Sequence, residues 1–266
     1  MWQPATLEEY RDRWHLTPDG PAFSTTSSHL QRVLRNGVPA MLKVARIEEE
    51  ANGCRLLAWW EGDGAACVYD VDDHAAVLEW GGDSLVGMAE ADDDRATRIL
   101  CEVAATLHAA SARRFETRPA GLIPLDTWFR SLFERTDHDV SARAGTLARR
   151  LLGTGGDVVL HGDLHHDNVL DFGERGRLAI DPKFLVGDRV FDYTNILCNP
   201  RQDLAEAHFD RRVDLICALA DIPERLLLEW TVAWTALSAS WFAADGDGDA
   251  DSRALRIGAL AEARLG

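Results

Sequence analysis

The segment LHGDLHHDN, residues 160–168, holds three histidines, two aspartates and one asparagine within nine residues. Two kinds of chemistry fit these residue types: a hydrolytic pair of metal ions, or the binding of nucleotide phosphates. A metal pair would take its ligands from five neighbouring side chains: His161, Asp163, His165, His166 and Asp167. The remaining histidines are scattered along the chain without partners at metal-ligand spacing, which disfavours the metal pair.

The spacing of Asp163 and Asn168 favours phosphoryl transfer instead. Protein kinases separate the Asp and the Asn of their catalytic loop by the same five positions. In that chemistry Asp163 would accept the proton of the acceptor hydroxyl, and the amide oxygen of Asn168 would bind Mg²⁺ without adding negative charge. The second metal ligand should follow a neighbouring strand. Asp181 meets this requirement, because it ends the segment RLAID on the far side of the turn GERG.

The N-terminal part supplies a cation for the phosphates of ATP. Lys43 lies in the predicted strand VPAMLKVA, from which its ammonium could reach the α- and β-phosphates. Glu50 falls on the apolar face of the helix that follows, so Glu50 is the predicted partner of Lys43 and Glu49 the alternative. The sequence has no G-x-G-x-x-G phosphate loop. The segment STTSS, residues 24–28, lies in its place, either as a phosphate-binding turn with Ser27 as a candidate ligand or as an ordinary polar turn.

The elements that must position these residues fall into two sets. Residues 1–80 have the pattern of antiparallel strands with one helix over 48–60, and Asn36-Gly37 is a hairpin turn signal. Residues 81–266 have a mainly helical pattern around a small β island formed by DVVL, NVLDF and RLAID. A break rich in glycine at residues 79–85 is the predicted hinge. The sequence therefore predicts an α+β fold of two lobes, with a small antiparallel sheet in the first, mainly helices in the second, and a ligand cleft between them.

Two further local predictions concern the helical part. Asp94 is the expected N-cap of a helix that carries Ile99 and Val103 at core spacing. The acidic tract DGDGDADS, residues 245–252, is expected to be a glycine-rich loop.

The composition limits the class of partner. The chain has 266 residues and a formal net charge of -16, so its surface should repel nucleic acid and anionic membranes and attract small cations. Hydrophobic residues make up 46% of the sequence, which is enough for a large core. The five cysteines form no Cys-x-x-Cys pair, and no apolar signal segment opens the chain, so we expect a cytoplasmic protein with reduced thiols and no membrane span. Lysine occurs only at positions 43 and 183, where a compact ammonium could fill a role that arginine would not.

The motifs HGDLHHDN at 161–168 and IDPKFLVGDRVFDYTN at 180–195 resemble those of the aminoglycoside phosphotransferases. More narrowly, they are similar to the branch of streptomycin 6-phosphotransferases and hydroxyurea phosphotransferases. The segments GDGA at 62–65 and WFAADG at 241–246 also look like that branch. The resemblance extends over roughly residues 25–260.

The resemblance implies a protein-kinase-like fold whose cleft binds ATP, with the adenine against the backbone of Glu79 and Trp80. It implies Mg²⁺ on Asn168 and Asp181, and Asp163 as the catalytic base. The reaction would be an ATP- and Mg²⁺-dependent transfer of phosphate to a hydroxyl of a small, polar, cationic molecule. A streptomycin-type aminoglycoside is the first candidate, and the role would be antibiotic resistance.

The sequence leaves the acceptor open. Candidate substrate contacts are His166, Lys183, Trp241 and Asp245. Three of these also have structural interpretations: loop orientation for His166, a surface position for Lys183 and core packing for Trp241. Asp192 is expected to cap the next helix and to brace the catalytic loop. The alternatives are a sugar, amino-sugar or hydroxyurea kinase on the same scaffold, a two-metal hydrolase, and a nucleotide-binding regulator without catalysis. We expect the protein to act as a monomer.

Overall fold

The computed structural model describes residues 5–134, 139–244 and 248–266. Its N-terminal lobe contains a five-stranded antiparallel sheet with the strand order β1-β2-β3-β5-β4. The elements of this lobe are α1 (Leu7–Arg13), β1 (Thr17–Ser24), β2 (Ser28–Arg35), β3 (Val38–Ala45), α2 (Glu48–Trp60), β4 (Val68–Val71) and β5 (Ala75–Glu79). The predicted strand pairs and the helix over 48–60 are confirmed, whereas α1 was not expected. The turn between β2 and β3 has positive φ at Asn36 (53°) and Gly37 (80°), as a tight hairpin requires.

Helix α2 joins the sheet to the rest of the molecule. Its apolar face, with Leu56 and Trp60, is fully buried. The helix ends where Glu61 adopts a left-handed conformation with φ of 52°. Halfway along the helix, Gly53 faces the carbonyl oxygen of Pro182 so closely that a Cβ at this position would lie within 3.0 Å of it. Helix α2 and the segment around Pro182 can therefore meet at this distance only because residue 53 is glycine.

The C-terminal lobe is mainly helical. Its helices are α3 (Val86–Ala91), α4 (Asp93–Arg113), α5 (Leu125–Trp128), α6 (Arg130–Glu134), α7 (Asp139–Leu152), α8 (Phe191–Cys198), α9 (Gln202–Ala220), α10 (Glu224–Ala244) and α11 (Gly248–Leu265). Its short strands are β6 (Ile123–Pro124), β7 (Val158–Leu160), β8 (Val169–Asp171), β9 (Arg177–Ala179) and β10 (Leu185–Gly187). Strands β8 and β9 form the predicted hairpin, and β10 pairs with both β6 and β7 in a small sheet that the sequence did not indicate.

The two lobes are also joined behind the cleft. The connection between α2 and β4 runs beside β9, where Ala66 N donates to Ala179 O (2.9 Å) and Ala179 N donates to Gly64 O (3.0 Å). Arg175, in the turn of the β8–β9 hairpin, donates to Gly62 O (2.6 Å) and pairs with the Glu79 carboxylate. The back of the cleft is therefore tied by backbone and side-chain bonds between the lobes.

Two local predictions were wrong. Asp92 is the N-cap of α4, because its carboxylate accepts from Arg95 N (3.1 Å), whereas Asp94 lies in the first turn. The acidic tract is not a loop throughout, since α11 begins at Gly248. Within the described ranges, no helix is long and apolar enough to cross a membrane. The division of the chain at residues 80–81, with a hinge over 79–85, stays a prediction.

Candidate active site

Asp163 lies in the loop that joins β7 to β8, and the loop itself holds this residue in place. The amide of Asn168 donates to the main-chain oxygen of Asp163 (2.9 Å) and lies 3.4 Å from its Oδ2. The Asn195 amide, on α8, donates to Asp163 Oδ1 (3.0 Å). The Asp163 side chain keeps 32% of its surface exposed, so the carboxylate can reach a ligand in the cleft.

The buried carboxylate of Asp192 holds this loop in place through hydrogen bonds. It accepts hydrogen bonds from His161 N (3.1 Å), Gly162 N (2.7 Å) and the ring of His108 (2.8 Å). Burial alone would raise the pKa of Asp192, but the bonds from these donors hold it below its usual range. Asp192 lies in the first turn of α8 rather than at its cap, which Val190 occupies.

Asn168 and Asp181 end on the same side of the cleft. Ile180 N donates to Asn168 O (2.9 Å), which holds the end of β9 beside the catalytic loop. Because the Asn168 amide nitrogen is bonded to Asp163, its amide oxygen is available as a ligand. The Asp181 carboxylate is 44% exposed and pairs with Lys43. Partial burial acts to raise the pKa of Asp181, but the Lys43 ammonium outweighs it and holds the carboxyl below its ordinary value.

The two lysines of the chain are divided between two adjacent glutamates of α2. Lys43, on β3, is buried and pairs with Glu50, whose Oε2 also accepts from Ser28 Oγ (3.3 Å). Lys183 Nζ lies 2.8 Å from Glu49 Oε1 and 3.7 Å from Glu50 Oε1. Of the two candidate partners for Lys43, the structure thus brings Glu50 to it.

The ionised form of Lys43 is strongly favoured. Burial would lower the pKa of Lys43, but the Asp181 and Glu50 carboxylates raise it above its ordinary value. Cys54 lies near Lys43, Asp181 and Glu50, and burial raises the pKa of its thiol to about 11. The thiol is therefore a neutral neighbour of the lysine.

A cleft of about 410 Å³ opens between the lobes and ends at this charged cluster. Its apolar walls include Leu30 and Met41 from the sheet and Leu170 and Ile180 from the other lobe. The rim runs along residues 79–83. The structure thus brings Glu79 and Trp80 to the edge of the cleft.

The side chains of these two rim residues are already engaged. The Glu79 carboxylate accepts from Cys67 N (3.0 Å) and pairs with Arg175, and Glu79 N donates to Cys67 O (2.8 Å), so neither its carboxylate nor its N–H is free for a nucleotide. The Arg32 guanidinium lies 4.8 Å above the Trp80 ring.

The Ser/Thr-rich turn between β1 and β2 is closed on itself. The hydroxyl of Thr25 accepts from Ser27 N (3.3 Å) and Ser28 N (3.0 Å), and Arg46 N donates to Ser27 O (2.8 Å). Ser27 is not among the residues that line the cleft. A phosphate contact by Ser27 stays a prediction, and the turn would have to release these amides to make it.

A second pocket, of about 260 Å³, opens at the C-terminal end of α8. Its walls include the rings of Trp234 and Phe242 and the side chains of Asn199 and Gln202. Asn199 donates to Asn195 O (3.1 Å), one helical turn back along the chain. The pocket is therefore one turn of α8 away from the residue that holds Asp163.

A buried ion pair supports this end of α8. The Arg212 side chain is fully buried and pairs with Asp93, whose side chain is 3% exposed. The same guanidinium donates to the main-chain oxygens of Ile196 (2.8 Å) and Asn199. Arg212 thus fixes the backbone that leads into the pocket.

The four predicted substrate contacts have different outcomes. His166 is fully buried, its ring nitrogens have no hydrogen-bond partner among the described residues, and its contact with substrate stays a prediction. Trp241 packs edge-on against Trp128 (centroids 5.6 Å apart) and is not among the residues lining either pocket described above. Lys183 pairs with Glu49 of α2 beside the buried pair of Lys43 and Glu50 and does not line the cleft itself, so its substrate contact stays a prediction, and Asp245 lies outside the described residues.

Sequence reasoning missed Asn195 and the rings of Trp234 and Phe242. Asn195 was visible as the last residue of the motif IDPKFLVGDRVFDYTN, which was noted only for its resemblance to the family. Trp234 and Phe242 lie on α10, and helical periodicity does not separate a core face from a pocket wall.

Comparisons with known proteins identify the family that the chain resembles. The family described as aminoglycoside/hydroxyurea antibiotic resistance kinase matches residues 13–246. The chain is 43% identical to the streptomycin 3''-kinase of Klebsiella pneumoniae, over 95% of this chain and 98% of that protein. It is 33% identical to the streptomycin 6-kinase of Streptomyces glaucescens, over 96% of this chain and 87% of that protein.

A solved structure confirms the predicted fold. It is a thermostable mutant of the aminoglycoside phosphotransferase APH(4)-Ia in a ternary complex with ADP and hygromycin B. The TM-score is 0.67 at 14% identity, covering 97% of this chain and 98% of that one. Identity this low supports the kinase-like architecture and nothing further.

Proposed function

This chain belongs to the aminoglycoside/hydroxyurea antibiotic resistance kinases, and on that premise we propose that it phosphorylates a hydroxyl of a streptomycin-type aminoglycoside with Mg²⁺ and ATP. It is an ATP-dependent phosphotransferase with an alcohol acceptor. The observation that carries the proposed site is the convergence of Asp163, Asn168 and Asp181 with the buried pair of Lys43 and Glu50. These residues come from both lobes, and Lys43 and Asp181 line the cleft between the lobes.

The position of the phosphorylated hydroxyl is part of the proposal. The sequence motifs suggested a 6-kinase, but the chain is more similar to the 3''-kinase than to the 6-kinase, at 43% against 33% identity. We therefore place the new phosphate on the 3''-hydroxyl. Phosphorus and proton NMR of the product distinguish the two positions directly.

The residues present fit Mg²⁺. The Asn168 amide oxygen and the Asp181 carboxylate are hard oxygen ligands, two in number, and Mg²⁺ commonly binds to one or two protein groups plus phosphates and water. When bound, Mg²⁺ would neutralise charge on the phosphates. Among the described residues, no group of three or more His, Cys, Asp or Glu side chains could hold a metal ion, so the two-metal hydrolase lacks a ligand set.

The protein side chains then divide the work of transfer. Lys43 would bind the α- and β-phosphates while Glu50 holds its ammonium in place, and Asp181 would leave Lys43 for the metal. Asp163 would orient the acceptor hydroxyl and take its proton, because its carboxylate is held on one side by Asn195 and exposed on the other. The adenine would lie along the backbone of residues 79–80.

The pocket at the end of α8 is the proposed acceptor site. Its amide side chains, Asn199 and Gln202, can bond to sugar hydroxyls, and the Trp234 and Phe242 rings can cover a sugar face. The net charge of -16 would favour a cationic acceptor at long range.

Replacement of Asp163 by Asn tests this assignment. We expect turnover to fall by about 100- to 10,000-fold, because a general base is lost, while nucleotide affinity changes little. Asp181→Ala should instead abolish the Mg²⁺ dependence of nucleotide binding. Titration calorimetry with AMP-PNP and a coupled ADP assay with streptomycin provide both measurements. If Asp163→Asn loses nucleotide affinity, or if it retains turnover, the role of Asp163 is assigned wrongly.

A screen of acceptors tests the substrate class. Streptomycin should be consumed with ATP in preference to hydroxyurea, glucosamine and other amino sugars. Turnover of one of these alone would make the chain a different kinase on this scaffold. ATP binding without turnover of any acceptor would favour the regulator. A monomeric enzyme in the cytoplasm, where its five free cysteines would stay reduced, completes the proposal, and size-exclusion chromatography tests the monomer.

A further inference from the structure

The backbone of Lys183 lies beside the loop that carries Asp163. Its backbone N donates to His161 O (2.7 Å), immediately before the residues that carry Asp163. A Cβ placed on Gly162 would lie 3.0 Å from the Cβ of Lys183, so the two segments touch at this point. The position follows Asp181 by two residues. The side chain therefore starts between the proposed base and the proposed metal ligand.

The ammonium of Lys183 is held loosely in comparison with that of Lys43. Its Nζ lies 2.8 Å from Glu49 Oε1 on α2, and 22% of the side chain is exposed, against 7% for Lys43. Glu49 is itself 35% exposed. Because both partners reach solvent, the pair can open without leaving a buried charge. The Lys183 ammonium can thus change partners when a ligand enters the cleft.

The choice of residue also points to a specific role. Of the 28 basic residues, only Lys43 and Lys183 are lysines, and both end at the same cluster. A half-buried ion pair with Glu49 would be served equally well by arginine. A compact ammonium with freely rotating donors suits a site where a small anionic group moves during reaction.

Two sets of donors that could serve a phosphoryl group in this cleft are already engaged. Lys43 is shared between Glu50 and Asp181, and the amides of Ser27 and Ser28 are bonded to Thr25. The sequence has no glycine-rich loop to supply backbone donors in their place. Charge that develops on the transferring oxygens therefore needs a further cation.

We propose that Lys183 leaves Glu49 when nucleotide binds and donates hydrogen bonds to the oxygens of the γ-phosphoryl group in transit. This inference rests on the proposed phosphoryl transfer but not on the identity of the acceptor. The acceptor oxygen forms its bond to the γ-phosphorus, and the bond from that phosphorus to the bridging oxygen breaks. The electron pair leaves with ADP, and the acceptor proton passes to Asp163. Lys183 stays protonated throughout and is a catalytic residue in this account.

A purely structural role makes a different prediction. If Lys183 only ties α2 to the catalytic loop, breaking the pair from either end should have the same effect. Lys183→Met and Glu49→Gln are therefore matched variants. We expect Lys183→Met to lower kcat by about 100- to 1000-fold with acceptor KM and AMP-PNP affinity within about threefold. Glu49→Gln should lose less than about fivefold in kcat, because a freed ammonium still reaches the phosphoryl group.

A transition-state analogue gives a readout without turnover. ADP with aluminium fluoride mimics the transferring phosphoryl group, and its affinity should fall at least about 50-fold in Lys183→Met while AMP-PNP affinity is retained. Because this measurement needs no aminoglycoside, it separates failure of this inference from failure of the proposed substrate. If Lys183→Met does not fold, Lys183→Arg decides: the structural role predicts full activity, and the proposal predicts a loss of at least about fivefold.

Three results would overturn the proposal. Equal losses of kcat in Lys183→Met and Glu49→Gln would show that Lys183 only ties α2 to the catalytic loop. A rise in acceptor KM at unchanged kcat would move Lys183 to the acceptor. Unchanged affinity for the ADP–aluminium fluoride complex would remove it from the phosphoryl group.

Discussion

Replacing Gly53 by alanine should destabilise the protein, although the same change stabilises most helices. Gly53 is in the interior of α2, where alanine normally gains about 1 kcal/mol over glycine. Here the new Cβ would come within 3.0 Å of Pro182 O, a backbone atom that cannot rotate away. Overpacking of this kind typically costs about 1–3 kcal/mol. The net expectation is a loss of about 1 kcal/mol of unfolding free energy.

Catalytic activity should be affected more than stability. Pro182 lies between Asp181 and Lys183, so a shift of several tenths of an ångström between α2 and this segment moves both side chains relative to Glu49 and Glu50. Because positional errors of about 1 Å can cost about 100-fold in rate, a loss of about 10-fold in kcat is expected for the smaller shift.

Gly87 provides the matched control. It is exposed in the short helix α3, and a Cβ there would meet nothing within 4 Å. Gly87→Ala should raise stability by up to about 1 kcal/mol. Thermal denaturation of both variants measures the difference, since about 1 kcal/mol corresponds to about 2–4 °C in a protein of this size. If Gly53→Ala raises Tm as Gly87→Ala does, the close approach is not a constraint and the reasoning fails.

Three further predictions concern single side chains. Asn195→Ala should lower kcat by about 10- to 100-fold at nearly unchanged nucleotide affinity, because Asp163 loses one charge-assisted hydrogen bond; steady-state kinetics and calorimetry check this. Asp93→Asn should cost about 3–5 kcal/mol in urea unfolding, because the buried Arg212 guanidinium loses its counter-charge. Asp94→Asn, at a side chain that is 38% exposed, should cost under about 1 kcal/mol, and similar values for the two variants would contradict this. Burial holds the pKa of His166 at about 3, so the unfolded chain binds more protons below pH 6.5 and stability falls as the pH drops from 6.5 towards 3. His166→Leu should flatten that fall by up to about 1.4 kcal/mol per pH unit, and parallel profiles for the two proteins would refute it.

The sequence predicted the parts of the site whose spacing is set by local geometry. Asp163 and Asn168 lie in one loop, and a short hairpin brings Asp181 beside them, so their proximity follows from the chain itself. Asn195 is 32 residues from Asp163 and reaches it only through the packing of α8, which no local pattern specifies. The direction of the His166 side chain could not be predicted either. Adjacent residues of an irregular loop face different ways, and no periodicity shows which of them is buried.

The contrast between local patterns and packing of distant segments also explains which parts of the fold were predicted. The hairpins and α2 carry strong turn signals and helical periodicity, and these elements were predicted with nearly correct bounds. Strands β6 and β10 have two and three residues, too few for a pattern to appear. Helix α11 begins in glycine and aspartate, whose composition is that of a loop, and its packing against α10 overrides that local preference.

The bonds between the α2–β4 connection and β9 have a consequence for how the polypeptide could be divided. Ala65 and Ala66 are fully buried beside Ala179, and their backbone bonds cross from one lobe to the other. A chain cut between residues 80 and 81 would expose these groups on both pieces. Each fragment alone would carry an unfinished surface, so neither should keep its structure unless the other is held beside it. The kinase is thus suited to a split reporter in which drug resistance returns only when two fused partners bring the halves together.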